Sequence, residues 1–253
     1  MPANVPTDTA PPKAEPVSPP AARSLSDLPL SGRLRFLLFG RTVPAVLFGS
    51  LAWFQIVKLR NHMSEFGANG TLLQGSVITH DILYLLFCAI PVGIYLTRAM
   101  PRASDGSLPA RAAAFVGTTM LLFIPIVIKD AHKVWSSETF TLWVGMPILI
   151  VSSGFAVVAT LYLRRNLSIM PEARALVTGG PYSIVRHPLY LAEIGAAVGF
   201  VVGNATATQL VSIVALIALQ MTRTVYEERL LTSTFPAYSG YAARTRKIVP
   251  GIW

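Results

Sequence analysis

The chain has 253 residues, of which 53% are hydrophobic and 13% charged, and its formal net charge is +9. Water-soluble domains carry about 25% charged residues, so this composition excludes an ordinary soluble domain. The single cysteine, Cys88, excludes a disulfide-rich secreted scaffold. The basic charge would suit a nucleic-acid-binding domain, but the lysines and arginines lie between long apolar segments. We therefore predict an integral membrane protein with no nucleic-acid partner.

Residues 1–32 are rich in proline, alanine, serine and threonine. Such a segment has too little apolar surface to offset the entropy that is lost on ordering, so it is predicted to be a disordered tail. No apolar run follows a short basic start, and the tail is therefore not predicted to be a signal peptide.

Six apolar segments follow the tail. A helix that crosses a hydrocarbon core of roughly 30 Å needs about 20 mostly apolar residues. The sequence therefore predicts an all-α, polytopic membrane bundle with five to six transmembrane helices, of which residues 33–163 form the N-terminal set. The last two segments are short and separated by little more than Asn204, which predicts a C-terminal helical hairpin. The six segments are Thr42–Val57, Ile78–Thr97, Ala112–Ile128, Leu142–Leu163, Leu189–Gly203 and Ala207–Met221.

The basic residues predict an orientation for this bundle. With six passes, seventeen of the 21 lysines and arginines fall on the same side as the N-terminus. Because such residues concentrate on the cytoplasmic side, we expect both termini and the 164–188 loop to be cytoplasmic. The compact length and the absence of targeting signals favour a bacterial inner membrane.

Three glycines recur at every fourth position of the first hairpin helix, at Gly195, Gly199 and Gly203. Small residues with this spacing let two helix backbones approach closely in lipid. The pattern predicts tight packing against a neighbouring helix, and chance in a helix rich in alanine and glycine is the alternative.

Two polar segments flank the hairpin and must therefore emerge on the same face. Residues 176–190 read LVTGGPYSIVRHPLY, and residues 222–231 read TRTVYEERLL. Proline is favoured in the first turn of a helix, so Pro188 is predicted to start the hairpin with Arg186 and His187 at its N-terminal end. Free N–H groups and a guanidinium at that end suit an anion. The alternative is an arginine that contacts lipid headgroups beside a capping histidine.

Three acidic residues are also candidates. Glu227 and Glu228 are predicted to lie just beyond the second hairpin helix, where adjacent like charges need a cationic or hydrogen-bonding partner. Arg223 and Arg229 are candidate structural partners, and a cationic or hydroxyl-rich ligand is the alternative. Glu193 lies one turn inside the first hairpin helix, where an acid is costly. It indicates either a functional role or a hydrogen bond to a neighbouring helix.

Further candidates lie in a turn and in the C-terminal segment. A Gly-Gly-Pro turn at residues 179–181 precedes Tyr182 and lets the backbone approach a ligand closely. Tyr238, Tyr241 and Arg244 are predicted to share one helix face, where they either anchor the chain at the headgroups or contact a ligand. The four histidines show no metal-ligand spacing, so no metal site is expected.

Taken as an ordered set, these segments resemble a known family. The set comprises GGPYSIVRHPLY, an apolar hairpin, EERLL and FPAYSGYAARTRKIVPGIW, within residues 160–253. It is similar to the isoprenylcysteine carboxyl methyltransferase and phospholipid methyltransferase family of integral membrane enzymes, which implies a methyltransferase core over residues 164–253. The chain departs from the family at Pro236, where glycine usually follows the phenylalanine, and in lacking the acidic residues common before the tyrosines.

The resemblance implies that S-adenosylmethionine binds in a pocket closed by the C-terminal segment. The acceptor of the methyl group would be a lipidic or prenylated carboxylate, amine or thiol that enters from the bilayer. Arg186 suits the carboxylate of the donor, and Glu227 or Glu228 suits its ammonium or ribose hydroxyls. Matched by position, the cofactor-binding residues would be Gly180, Tyr182, Arg186, His187, Pro188, Tyr190, Glu227 and Glu228. The catalytic residues would be Arg186, His187 and Glu228, and the substrate-binding residues Glu193, Tyr238, Tyr241 and Arg244.

Two other functions stay open at this point. A sterol-type membrane reductase that uses NADPH has a related C-terminal hairpin, but such enzymes usually have asparagine after the Arg-His pair, so Pro188 and Tyr190 count against it. A membrane scaffold or small transporter ranks third, because the intramembrane charges are few and lie near one face.

Overall fold

The computed structural model describes residues 24–67, 70–127 and 133–249 of the chain. Within these ranges the chain forms seven helices and four short strands, which are numbered separately in chain order. The helices are α1 (Leu30–Glu65), α2 (Leu72–Thr97), α3 (Leu108–Val127), α4 (Glu138–Asn166), α5 (Pro188–Val202), α6 (Ala207–Thr234) and α7 (Tyr238–Ala242). The strands are β1 (Ala103–Ser104), β2 (Lys133–Ser136), β3 (Glu172–Ala173) and β4 (Asn204–Thr206).

Four of the described helices, α1, α2, α4 and α6, are long and apolar enough to cross a membrane. Many large apolar side chains on them are exposed, including Trp53, Phe54, Val151 and Val211. Exposed apolar surface on this scale suits a lipid environment rather than water. The chain is therefore an integral membrane protein. The predicted count of five to six spans stays a prediction, because α5 is shorter than the other apolar helices.

Local sequence explains where the hairpin helices begin. Pro188 occupies the first turn of α5, as predicted. Helix α6 begins with a capping box, in which the Gln209 N–H donates to the Thr206 hydroxyl and the Thr206 N–H donates to the Gln209 side chain. The same arrangement of Thr71 and Gln74 starts α2.

Two helix boundaries differ from the predicted ones. Helix α1 begins at Leu30 rather than Thr42, inside the predicted disordered tail, of which residues 1–23 lie outside the described residues. Helix α6 ends at Thr234 rather than Met221. The prediction that Glu227 and Glu228 lie beyond the helix is therefore wrong. Polar helix-forming residues extend α6 past its apolar part, which the apolar criterion alone does not detect.

The prediction of an all-α fold holds for the bulk of the structure but misses two small sheets. Strands β1 and β3 pair antiparallel, with Ala103 opposite Ala173, and β2 pairs antiparallel with β4. Each strand has only two to four residues, too few to show an alternating hydrophobic pattern in the sequence. The second sheet ties the segment before α4 to the turn of the α5–α6 hairpin.

The glycine face of α5 packs tightly against α4, which confirms the predicted close approach. A Cβ atom on Gly199 would lie 2.7 Å from the backbone nitrogen of Leu149 and 2.9 Å from the carbonyl oxygen of Gly145. Added Cβ atoms on Gly195 and Gly203 would likewise collide with α4, at Ser152 and Thr141. The second half of α5 is therefore held close to α4 by backbone contacts at Gly199 and Gly203.

We predict that Gly199→Val lowers the thermal unfolding temperature of the purified protein in detergent. The added side chain has no space against the α4 backbone, and overpacking of this kind costs about 1–3 kcal/mol. The matched control is Gly154→Val on α4, since no atom lies within 4 Å of a Cβ added there. Equal unfolding temperatures for the two variants would contradict the close contact.

Candidate functional site

The hairpin brings the two polar segments together at one end of the bundle. The Arg186 guanidinium donates from Nε to Oε1 of Glu228 at 2.8 Å, and Nε2 of His187 lies 3.2 Å from the same oxygen. Nδ1 of His187 lies 3.8 Å from Oε2 of Glu227. The predicted convergence of the segments before and after the hairpin is therefore confirmed.

The C-terminal segment after α7 binds to the same group of residues. The N–H groups of Arg186 and His187 donate to the carbonyl oxygens of Arg246 and Lys247, at 2.8 and 3.0 Å. Lys247 adds a charge contact, with Nζ 3.5 Å from Oε2 of Glu228. Glu228 thus joins α6, the start of α5 and the chain after α7 through one carboxylate.

Arg186 also uses its second side-chain nitrogen within the chain. Its Nη1 donates to the carbonyl oxygens of Ala242 at 2.8 Å and Thr245 at 2.5 Å, in addition to the contact with Glu228. The described contacts of this guanidinium are therefore internal ones that hold the C-terminal segment. The expectation that Arg186 binds the carboxylate of a ligand stays a prediction.

An aromatic and charged stack lies beside this network. The His187 ring stacks on the Tyr190 ring, with centroids 5.3 Å apart and planes at 3°, and the Tyr190 hydroxyl donates to Glu227. The Arg223 guanidinium lies over the Tyr190 ring, 4.6 Å from its centroid. Tyr190 and Glu227 are thus fixed relative to His187 by stacking and a hydrogen bond.

The turn before Tyr182 requires glycine at its second position. Gly180 has φ +59°, and a Cβ added there would collide with the ring of Tyr162 on α4. The carbonyl oxygen of Tyr182 accepts a hydrogen bond of 2.6 Å from the Tyr241 hydroxyl. Burial raises the pKa of Tyr241 to about 12, so this phenol stays protonated as a donor.

A cavity that we call the polar pocket lies between these groups and the segment after α4. It encloses about 920 Å³, including space that is continuous with solvent. Its wall contains seven of the predicted site residues: Tyr182, Arg186, His187, Tyr190, Glu227, Tyr238 and Tyr241. Pro188 and Glu228 are adjacent in the chain to these residues, and Gly180 lies two residues before Tyr182.

Two predicted substrate-binding residues lie elsewhere. Arg244 is exposed and follows the end of α7, so it does not share the buried face of Tyr238 and Tyr241, and the prediction of one common face is wrong. Helix α7 ends at Ala242, too early to carry the spacing of three residues as far as Arg244. Glu193 lies deeper in the bundle, where Gln220 donates to its carboxylate.

Sequence reasoning missed a buried ion cluster, of which Glu172 and Arg174 line the polar pocket. Arg174 donates from Nη2 to Oε2 of Glu172 at 2.8 Å, and Arg98 donates to the same oxygen at 3.1 Å. Burial raises the pKa of the Glu172 carboxyl, but Arg174 and Arg98 more than offset this and hold it below its usual value. One sign of this cluster is present in the sequence, since Arg174 is a basic residue shortly before the Gly-Gly-Pro turn. This residue contributed only to the predicted orientation of the bundle.

Three residues that line the polar pocket each have a buried polar atom with no hydrogen-bond partner within the part of the chain that the structure describes. The atoms are Nη1 of Arg174, Nε of Arg223 and the hydroxyl of Tyr238. Buried polar atoms in proteins are nearly always paired, so their concentration around one cavity is informative. The pocket wall therefore presents donors suited to a polar, anion-bearing ligand.

A second cavity, which we call the apolar cavity, lies inside the bundle. Its wall is mainly apolar and includes Phe48, Phe87 and Phe200, together with Glu193. Four residues line both cavities, namely Leu167, Ser168, Leu189 and Arg223. A ligand in the apolar cavity and a ligand in the polar pocket would therefore meet beside Arg223.

Comparison with known proteins shows the relationship of the chain. The family model for phospholipid methyltransferases matches residues 140–237, from α4 through α6. The cobalt-zinc-cadmium resistance protein CzcN of Cupriavidus metallidurans is 30% identical over 162 residues, which cover 60% of this chain and 69% of that protein. The nickel-cobalt-cadmium resistance protein NccN of Alcaligenes xylosoxydans xylosoxydans is 31% identical over 134 residues. These residues cover 49% of this chain and 58% of NccN, so the chain spans less than two thirds of that relative.

The ion cluster of Glu172 predicts a pH dependence of stability. Because its pKa is lower in the folded chain than the ordinary value of 4.5, its contribution is present above about pH 4.5 and declines as the pH falls through the folded pKa. We expect Glu172→Gln to lower the unfolding temperature at neutral pH, and the difference from wild type to narrow towards pH 3. Thermal unfolding in detergent measures this.

The control for the pH series is Glu65→Gln, at an exposed acid near the end of α1. This variant should follow the wild type at every pH. A constant difference between Glu172→Gln and the wild type across the whole range would contradict the lowered pKa of Glu172.

Proposed function

We propose that this chain, which belongs to the phospholipid methyltransferase family of integral membrane enzymes, transfers a methyl group from S-adenosylmethionine to a lipidic or prenylated acceptor. The observation that carries the proposal is the contact between the polar pocket and the apolar cavity at Arg223. A charged, water-soluble donor suits the first cavity and an apolar acceptor suits the second. Their common wall is where the two reacting groups would meet.

The residues of the polar pocket fit the proposed donor. S-adenosylmethionine supplies a sulfonium-bound methyl group and also carries a carboxylate, an ammonium and a ribose diol. The unpaired donors of Arg174 and Tyr238 suit the carboxylate, while the carboxylate of Glu227 suits an ammonium or ribose hydroxyls. Tyr182 and Tyr190 supply aromatic surface to the same pocket. The predicted binding roles of Gly180 and Pro188 are to shape the two chain segments that carry these groups.

The chain contributes mainly position to such a reaction. Orienting two reactants in one site supplies a large part of a reaction barrier without any covalent step on the protein. Arg186 and Glu228 are proposed as positioning residues, because their contacts hold the C-terminal segment beside the pocket. His187, which lines the pocket and stacks on Tyr190, is proposed to touch the donor.

The apolar cavity supports the acceptor side of the proposal. Its inner surface would bury a hydrocarbon chain, while a polar row leads from Glu193 through Gln220 to Arg223. An acceptor carboxylate, amine or thiol at the end of an apolar chain would reach Arg223 with its chain in the cavity. We propose that both termini face the cytoplasm of a bacterium, since the polar pocket then opens towards a water-soluble donor.

The names of the two relatives refer to resistance to cobalt, zinc, cadmium and nickel. For this chain we propose methyl transfer, because the family match covers α4 to α6, which supply most of the wall of the polar pocket and part of the wall of the apolar cavity. The reductase and the scaffold or transporter are the alternatives, and each gives a different result in the binding experiment.

The test of this function is calorimetric titration of the purified, detergent-solubilised protein with S-adenosylmethionine and, separately, with NADPH. We expect binding of S-adenosylmethionine and no binding of NADPH. A second measurement follows labelled methyl groups into a total lipid and peptide extract and identifies the product. Folded protein that binds NADPH alone would support the reductase, and folded protein that binds neither ligand would contradict the enzyme.

We predict that Glu228→Gln weakens the binding of S-adenosylmethionine about tenfold or more. The variant loses the charge that holds Arg186, His187 and Lys247, and loss of a charged hydrogen bond costs about 1.5–3 kcal/mol. Glu138→Gln, at an exposed acid at the start of α4, is the matched control and should bind like wild type. Unchanged affinity in Glu228→Gln would remove the C-terminal segment from the proposed site.

A further inference from the structure

We propose that Arg174 is the anion-binding residue of the polar pocket and holds the carboxylate of the methyl donor there. This assignment rests on the proposed function and adds to it. It moves the carboxylate from Arg186, where the sequence placed it, to a residue in the loop after α4, outside the motif that starts the hairpin. Three independent observations on the described residues support the assignment.

The first observation is the hydrogen bonding of the Arg174 guanidinium. Its Nε donates to the carbonyl oxygen of Ala99 at 2.9 Å, and its Nη2 donates to Glu172 at 2.8 Å. The side chain is 4% exposed, and Nη1 is buried with no partner among the described residues. The two bonds fix the plane of the guanidinium, and Arg174 lines the polar pocket with the donors of its third nitrogen unused. A guanidinium held in this way is already oriented for a carboxylate.

The second observation is the charge balance of the cluster. The side chains of Arg98 and Arg174 are 3% and 4% exposed, and both pair with Glu172. Among the described residues, Glu172 is the only acid within 4.0 Å of either guanidinium. Two cations and one anion leave an excess positive charge in a buried place, where an unbalanced charge is costly. An anionic ligand group at Arg174 would restore the balance.

The third observation concerns the competing residue, Arg186. Its guanidinium already donates to Glu228 and to two backbone carbonyl oxygens, so a ligand carboxylate there would have to share or replace the charge of Glu228. Both arginines line the polar pocket. They differ in their bonding: Nε and Nη1 of Arg186 are both bonded within the chain, whereas Nη1 of Arg174 is buried with no partner among the described residues.

The experiment compares two probes, S-adenosylmethionine and its decarboxylated form, by calorimetric titration of the solubilised full-length protein. We expect Arg174→Gln to weaken binding of S-adenosylmethionine by about ten- to a hundredfold, the range for a hydrogen bond to a charged group. Binding of the decarboxylated form should be the same in this variant as in wild type. Arg165→Gln, at an exposed arginine in the last turn of α4, is the matched control and should change neither affinity.

The comparison with Arg186→Gln distinguishes the loss of one contact with the carboxylate of the donor from a general loss of pocket structure. That variant should weaken both probes alike, because Arg186 acts through the C-terminal segment. If Arg174→Gln does not fold, Arg174→Lys keeps a charge beside Glu172 and is measured with the same two probes. Equal loss of both probes in the Arg174 variants would overturn the assignment. Failure of folded wild-type protein to bind either probe would instead overturn the proposed function, and the assignment with it.

Discussion

The Glu228 carboxylate is the contact on which the candidate site depends. It binds Arg186 and His187 at the start of α5 and Lys247 in the chain after α7, and Glu228 itself lies in α6. Segments that are far apart in the sequence thus meet at one charge. The cost of removing that charge from water is offset by three cationic or hydrogen-bonding partners rather than one. The polar pocket exists because this contact keeps the C-terminal segment beside the hairpin.

Backbone packing and ion pairs each hold a different part of the site in place. The glycine face of α5 sets the distance between α5 and α4 by backbone contact, which side-chain movement cannot relax. The arginine cluster around Glu172 then fixes the loop after α4, with Arg98 also stacked on the ring of Tyr95. The hairpin and the loop after α4 both contribute residues to the polar pocket, so a ligand there would meet donors already in place.

Arg223 lies where the polar pocket meets the apolar cavity. It lies in α6, stacks on Tyr190 at the polar pocket and also lines the apolar cavity. A buried arginine is expensive in a membrane bundle and is retained where it serves a function. Its contact with Gln220, and through it with Glu193, gives a polar path along an otherwise apolar wall. The fold thereby places an aqueous and an apolar compartment against one charged residue.

The sequence by itself determined the membrane location, the helical hairpin, the start of α5 at Pro188 and the meeting of the two polar segments that flank the hairpin. These follow from hydropathy, from proline geometry and from the fact that a hairpin returns the chain to the side it left. Only the tertiary structure decided that Arg186 is bonded internally, that Arg174 has an unused donor, and that Arg244 is exposed while Tyr238 and Tyr241 are buried. Such outcomes depend on helix length, helix rotation and pairing between distant segments, and a residue's neighbours in the sequence do not fix them.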